Sequence, residues 1–376
     1  MKGHIHRRGG TWSVMWDEPR GPDGKRRQRK KGGFRTKREA EAHLAHVLAA
    51  IDRHTYMRPD RTTVGEYLTE QWLPSLTVRP STRRAYESHV RIYLVPQIGD
   101  IPLQRLSRGD LRQMFADLAV SGVRKPLSAA TLRRVQATVR VALNTALTDD
   151  LIARNVAVGL KLPVPPRPQI NVWTATELRT FLIAAADDAL YPIYHFIAMT
   201  GSRRGEAVGL RWTDVDLPAR RVSIRQQIIQ HGKVLEFGEP KTRAGCRSVA
   251  LDPRTVQLLT KVKAKQAANK LAWGGAFEDS GLVFARENGS AQRPDHVSDH
   301  FDRLVVKHGL ARIRLHDLRH THATLMLSNG VSPKVVSERL GHSSISLTLD
   351  TYSHVLPALG EDAAVRAAES VFEGTS

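Results

Sequence analysis

One stretch near the end of the chain, 316–354, concentrates side chains suited to a single chemistry; it reads HDLRHTHATLMLSNGVSPKVVSERLGHSSISLTLDTYSH. His316 and Arg319 stand three residues apart, a spacing that puts both on one face of a helix. Leu340-Gly341-His342 closes the next helical run on a glycine, where a helix C-cap is expected. Tyr352 follows on a segment opened by Ser343-Ser344, residues that cap helices well. A tyrosine, two histidines and an arginine gathered this closely point to the handling of a phosphate rather than to a packed core.

The pattern H-x-L-R-H, then L-G-H, then Tyr resembles the C-terminal signature of the tyrosine recombinases, the phage integrase family. Two upstream motifs stand in that family's order. Thr200-Gly201-Ser202-Arg203-Arg204-Gly205-Glu206 is similar to its first arginine motif, and Pro240-Lys241-Thr242 falls between strand-like runs, where its lysine lies on a β-hairpin. The motifs cover the second half of the chain; the first half resembles the family in organisation only.

The resemblance implies a role for each residue. A phosphodiester passes through a charged, in-line transition state, and fixed cationic donors must meet that charge when no metal does. Arg203 and Arg319 are the expected pair for the non-bridging oxygens, since arginine is always charged and its planar fork matches two oxygens. Arg204 is the rival within the first motif, but the family places its arginine third after the Thr. Tyr352 is the expected nucleophile. A free phenol titrates near 10, so it needs a base or strong positive charge beside it, and His316 is the expected base. Lys241 is the expected general acid for the leaving 5′ oxygen, and His342 the expected hydrogen-bond donor to the phosphate. Glu206, three residues after Arg203, is expected to orient the cationic cluster. Tyr67, Tyr86, Tyr93, Tyr191 and Tyr194 lie in apolar helices and read as core. His316 and His320 have the i, i+4 spacing of a zinc pair, but no H-E-x-x-H glutamate or neighbouring cysteine accompanies them. The extra histidines, His320 and His322, read as helix packing, and neither metal nor cofactor is expected.

The chain has 376 residues, 41% of them hydrophobic, and a formal net charge of +20. Two or three domains are expected from that length, and a polyanionic partner, nucleic acid above all, from that charge. No apolar run is long enough to span a bilayer, and the N-terminus lacks the apolar core of a secretory signal. With Cys246 the single cysteine, no internal disulfide can form and no cysteine-based zinc site can be built, which fits the cytoplasm.

Residues 1–58 carry 15 Lys/Arg against 6 Asp/Glu, a net +9. The strand-like runs Trp12–Trp16 and Arg26–Lys31, a third approached through Gly32-Gly33-Phe34, and a helix opened by Thr36 suggest a three-stranded sheet plus one helix. Trp12, Trp16 and Phe34 interleave there with Arg26, Arg27, Lys30 and Lys31, a DNA-contact pattern. In the family such modules hold accessory arm sites. Over 62–160, apolar residues recur near every 3.6 positions, the mark of an all-helical domain. Its helices open at Thr63, Ser81, Ser107 and Ser128, with the first two ending at Pro74 and Pro96. Its charges, among them Arg83, Arg84, Arg133 and Arg134, would face DNA in the manner of the family's core-binding domain. A proline-rich linker, 161–170, leads to the catalytic part, 171–376, expected to be mainly helical with a small antiparallel sheet. After Pro357 and Gly360, an apolar stripe of Ala364, Val365, Ala368 and Val371-Phe372 marks a tail, 357–376, expected to dock either on its own domain or, as is common in the family, on a neighbouring protomer.

The expected protein is therefore multidomain: a small α+β module, an all-α domain and a mainly α catalytic domain with a small sheet. The expected function is site-specific DNA recombination through a 3′-phosphotyrosyl link and a Holliday junction, without metal or ATP. Its expected partners are core and arm DNA sites and a homotetramer, with a host bending protein and a directionality factor as possible additions. A type IB topoisomerase shares the chemistry on one duplex, but the arm module and helical domain favour recombination. A non-catalytic DNA-binding regulator would need neither Tyr352 nor the arginine pair.

Overall fold

The computed structural model describes residues 3–19, 24–53, 56–122, 125–165, 171–240, 242–352, 368–369 and 372. The chain divides into two compact units, Met1–Arg167 and Pro168–Ser376.

The first unit opens with an antiparallel sheet, β1 (Gly3–Arg8), β2 (Thr11–Asp17) and β3 (Gln28–Phe34), in that order. The sequence pattern places the first strand at Trp12, but an additional one precedes it. Gly9 and Gly10, at φ +50° and +68°, make the tight turn that joins β1 to β2. The two later strand-like runs are a single strand. Between the pairs Val14↔Lys31 and Trp12↔Phe34, β3 carries one extra residue, a bulge with Gly33 at φ +88°. Helix α1 (Lys37–Asp52) starts from a Thr36–Glu39 capping box and lays Ala40, Leu44, Val47 and Ile51 against Val14 and Trp16.

The rest of this unit is helical: α2 (64–75), α3 (80–98), α4 (Arg108–Val120) and α5 (Ala129–Thr148). Thr63 with Glu66 and Ser107 with Asp110 form capping boxes, and the Ser128 side chain accepts from Thr131 N–H. The prolines do not act where the sequence suggested. Helix α3 runs through Pro96 because Val90–Leu94 is a π-helical segment. Its wider turn gives room for a ring that has no N–H to donate. A second π-helical segment, Tyr67–Trp72, precedes Pro74 in α2. Helix α3 also starts at Pro80 with Arg79 as its cap, one residue before the expected Ser81.

The second unit is mainly helical around two small antiparallel sheets. Helices α6 (Ala175–Ala184), α7 (Tyr191–Thr200) and α8 (Arg204–Val208) come first, then strands β4 (Val215–Asp216), β5 (Arg221–Ile224), β6 (Gln227–His231), β7 (Val234–Gly238) and β8 (Arg247–Ala250). One sheet has the order β4-β5-β8 and the other is the β6-β7 hairpin, absent from the sequence reading. Pro240 and Thr242 thus lie in a connection between strands of different sheets rather than in a hairpin turn. Helices α9 (Pro253–Trp273), α10 (Pro294–Lys307), α11 (Asp317–Ser328), α12 (Pro333–Leu340) and α13 (Ile345–Tyr352) complete the unit. An aromatic cluster packs its centre, with the rings of Trp173, Phe181, Tyr194 and Phe301 5.0–5.8 Å apart. Trp173 N–H donates to Thr321 Oγ1 and its indole to Ala311 O, which fixes the approach to α11. No described helix is long and apolar enough to cross a membrane.

Candidate active site

Two left-handed glycines shape the walls of the site. Gly201 ends α7 at φ +67°, and a Cβ there would lie 2.5 Å from Leu340 and 2.8 Å from His322. Gly341 ends α12 at φ +70°, where a Cβ would lie 2.7 Å from the Ala244 carbonyl. Only glycine supplies both that backbone and that closeness. The two turns bring the first arginine motif, the β8 edge and the α12 end together.

Arg203 caps α8. Its backbone N–H donates to Glu206 Oε2 at 2.9 Å and its Nη1 to Glu206 Oε1 at 2.6 Å. Glu206 is 1% exposed and also accepts from Arg247 Nη2 at 2.9 Å. Burial alone would raise this carboxyl, but Arg247 and Arg203 outweigh it and hold Glu206 below its ordinary value. Arg204 turns away from Glu206 and donates to Ser298 Oγ on α10.

Arg247 is the cation that the sequence reading missed. It begins β8, where the run Arg-Ser-Val-Ala reads as an ordinary strand. Its Nε donates to Arg339 O at 2.6 Å, satisfying an end carbonyl of α12, and its Nη1 donates to Gly245 O. With three acceptors around one fork, its position is fixed from three sides.

Arg319 lies on the first turn of α11 and is 2% exposed. Its Nη1 donates to Gly201 O at 2.8 Å. Its Nη2 is buried and has no hydrogen-bond partner. Burial first, then Arg203 and Arg247, push this guanidinium down to about 9. Three arginines face one carboxylate here, and two of the three are nearly out of water. A buried donor without a partner is costly, and buried positive charge in excess is costlier. Both costs fall when an anion enters.

Tyr352 ends α13 with no exposed surface and packs among Ala323, Leu327, Val336 and Leu340. It is as buried as the core phenols Tyr67 and Tyr194. Burial pushes it up to about 12, partly offset by the field of Arg319. The expected base, His316, is not its partner: the phenol oxygen meets His320 Nδ1 at 2.8 Å. The sequence pattern reads His320 as helix packing; its contact with α13 is set by the fold. His316 stands at the helix start with its ring edge-on to His320, centroids 5.2 Å apart. Burial, His320 and Arg319 push His316 down to about 4, so its ring is neutral at neutral pH. His342 is likewise held at about 4 by burial, Arg319 and Arg203, and its Nδ1 lies 2.7 Å from Thr348 Oγ1 on α13. His322 does serve packing. Its Nδ1 donates to Ala198 O, and its Nε2 accepts from Arg339 Nε.

Lys241 and most of the tail, including Ala364, Val365 and Val371, lie outside the described residues. The DNA-contact candidates of the first unit divide. Lys30 and Lys31 are exposed on β3, and Arg133 and Arg134 on α5. Arg84 is exposed on α3, and Arg27 lies just before β3. Arg26 is also exposed but paired through two nitrogens with Asp17. Arg83 is half-buried, and its Nη1 and Nη2 donate to the Leu73 and Leu76 carbonyls at 2.8 Å each, so its fork closes the end of α2. Trp16 corrects the sequence reading: it is 5% exposed in the core against α1 rather than interleaved with phosphate-binding charge.

Residues 174–358 match the phage integrase family and residues 4–51 an arm DNA-binding domain. The chain belongs to the tyrosine recombinases of the phage integrase family. The recombinase is 26% identical over 345 residues to a XerC-like tyrosine recombinase of Caldanaerobacter subterraneus subsp. tengcongensis, covering 86% of this chain and 87% of the relative. It is 27% identical over 370 residues to a putative prophage phiRv2 integrase of Mycobacterium tuberculosis, covering 95% and 92%. Among solved structures, the Tn1549 transposon integrase in complex with transposon right end DNA superposes with a TM-score of 0.69 at 22% identity, over 81% of this chain and 99% of that one. A lambda integrase tetramer bound to a Holliday junction gives 0.59 at 18% identity, over 93% and 94%. At those identities the structural likeness is one of fold, and it agrees with the arm sheet, helical domain and mainly helical catalytic unit described above.

Proposed function

We propose that this site-specific recombinase cuts DNA with Tyr352 and holds the scissile phosphate on Arg203, Arg319 and Arg247. The observation that carries the reading is the buried, unpartnered Nη2 of Arg319 inside a cluster of three arginines and one carboxylate. Such a cluster is a preformed anion site, and a phosphodiester in its transition state is the anion that profits most from fixed donors. Glu206 holds the forks of Arg203 and Arg247 in place. His316 and His342, neutral among the cations, are suited to hydrogen-bond the phosphate.

The reaction in this reading leaves a 3′-phosphotyrosyl link and a 5′-hydroxyl. Lys241 protonates the leaving oxygen by its place in the motif order. The 5′-hydroxyl of a partner strand then attacks and reseals, and a second exchange resolves the Holliday junction. Bond energy is kept in the phosphotyrosine, so no ATP is needed, and the arginines take the place of a metal. Four protomers would work on core sites, with 1–58 on arm sites, 62–160 as the core-binding domain, 161–170 as the linker and 171–376 as the catalytic domain. The tail, 357–376, would dock on a neighbour, and the protein would act on DNA in the cytoplasm of its host.

A nicked duplex built on the attachment repeat bordering the gene tests this. In EDTA and without nucleotide, the wild type should accumulate a covalent protein–DNA adduct. Tyr352→Phe should bind the same duplex and form none. Adduct formation by the Phe variant, or loss of wild-type cleavage with EDTA that Mg²⁺ restores, would overturn the reading.

A further inference from the structure

We propose that His320 is the proton acceptor for Tyr352 in strand cleavage, its Nδ1 already seated on the phenol oxygen. The inference rests on the reading of Tyr352 as nucleophile, and it assigns the base to a different residue from the one that the motif order suggested.

Geometry carries it. The Nδ1 to Oη distance is 2.8 Å, within reach for direct proton transfer. Tyr352 has no exposed surface, so in this arrangement bulk water cannot take its proton. Adjacent positions on a helix point about 100° apart, so α11 presents two faces. Arg319 reaches Gly201 on the phosphate side, while His320 reaches α13 and the nucleophile. One turn of helix therefore locates the phosphate and the attacking oxygen relative to each other. The hydrogen bond of the phenol goes to His320, while His316 meets the His320 ring edge-on.

The charged neighbours of His320 are Asp317, Arg319 and Arg314, with His316 and Tyr352 in ring contact. Burial lowers its affinity for a proton; Asp317 raises it, and Arg319 and Arg314 lower it, for a net lowering. The resting imidazole is thus neutral, and with Nδ1 accepting from the phenol its own proton sits on Nε2. Asp317 is itself held by Arg314 through two nitrogens at 3.0 and 2.8 Å, a fixed anion beside the ring. It favours the imidazolium that cleavage would create.

In the cleavage step, the Tyr352 oxygen bonds to phosphorus while its O–H bond breaks and the proton passes to His320 Nδ1. The bond from phosphorus to the 5′ oxygen breaks, its electron pair leaves on that oxygen, and Lys241 supplies the oxygen's proton. On resealing, the 5′-hydroxyl gives its proton back to Lys241 as its oxygen attacks, and the imidazolium returns its proton to the departing phenol oxygen.

Single-turnover cleavage of two nicked duplexes separates acceptor from acid. One carries the ordinary 5′ oxygen at the attachment-repeat cleavage site, the other a 5′ sulfur, which departs without a proton. His320→Ala should cleave both about 10²-fold more slowly than wild type, with unchanged affinity for the duplex. His320→Asn, which keeps an oxygen near the Nδ1 position but cannot take up the proton, should be similarly slow on both. Lys241→Ala should be slow on oxygen and restored on sulfur. Wild-type rates in either His320 variant, or a His320→Ala defect that sulfur restores, would overturn the proposal. Should His320→Ala fail to fold, as loss of duplex binding would reveal, the Asn variant decides alone. Adduct formation by Tyr352→Phe on the same duplexes would instead remove the nucleophile reading beneath it.

Discussion

The two units each bury a carboxylate among arginines near a tyrosine, yet the two clusters differ in what remains unsatisfied. In the first unit, Glu18 is 5% exposed and accepts from Arg29 Nε at 2.7 Å and Tyr56 Oη at 3.1 Å, with Arg58 at 3.5 Å. Tyr56 in turn accepts from the Trp16 indole. The Arg29 and Arg58 side chains are 44% and 39% exposed, so water shares their charge. Gln104 fastens the same region to the helical domain, its Nε2 donating to Arg58 O and its Oε1 accepting from Asp60 N–H. Every member of this cluster has its partners. In the second unit, Glu206 faces Arg203, Arg247 and Arg319, with Arg247 and Arg319 almost wholly buried and one Arg319 nitrogen unpaired. The first cluster is finished as folded; the second is finished only by an anion. Excess buried charge costs stability, and a protein that retains it keeps a site at that expense.

That contrast can be broken most sharply at Arg319. Arg319→Met should slow adduct formation by about 10²–10³, the usual cost of losing one transition-state donor. The same change should raise the stability of the DNA-free protein by about 1–3 kcal/mol, since a buried charge is replaced by a chain of similar length. Nicked-duplex cleavage and urea unfolding read the two effects, and a variant both slower and less stable would show that the Arg319 charge is needed by the fold.

A smaller loss is expected at Arg247. Lysine keeps its charge but cannot serve Glu206, Arg339 O and Gly245 O from one planar fork. Arg247→Lys should slow cleavage by about 10–10² through looser placement of Arg203 and of its own phosphate contact, with core-site affinity nearly unchanged. A wild-type cleavage rate would make Arg247 a bystander.

Glu18 should behave in the opposite way. Glu18→Ala strands Arg29, Arg58 and Tyr56 and should cost about 1–3 kcal/mol in unfolding free energy. Its effect on adduct formation at the core site should be within twofold. A large cleavage defect in folded Glu18→Ala would erase the distinction between the two clusters.

What the sequence determined by itself was the local and the ordered. Helix starts at Thr36, Thr63, Ser107 and Ser128 were legible, since a cap and its partner lie within three residues of each other. The order of motifs was legible too, and with it Arg203, Glu206, Arg319, His342 and Tyr352 as residues to examine. Elements whose signal is weak or shared were not. The strand Gly3–Arg8 is polar and forms because β2 offers it a ladder, and the β6-β7 hairpin pairs two short runs across a Gly232 turn. Pro96 reads as a stop until the π-helical turn before it makes room for the ring. Arg247 and His320 belong to the same class. One looks like a strand residue and the other like a packing histidine, because nothing within three or four positions tells what each will touch. Only the tertiary fold, by closing two glycine turns at 201 and 341, set Arg247 against Glu206, left an Arg319 nitrogen without a partner, and put His320 rather than His316 on the phenol of Tyr352. Sequence spacing fixes neighbours along a helix; which side chain meets another across helices depends on distances that only packing sets.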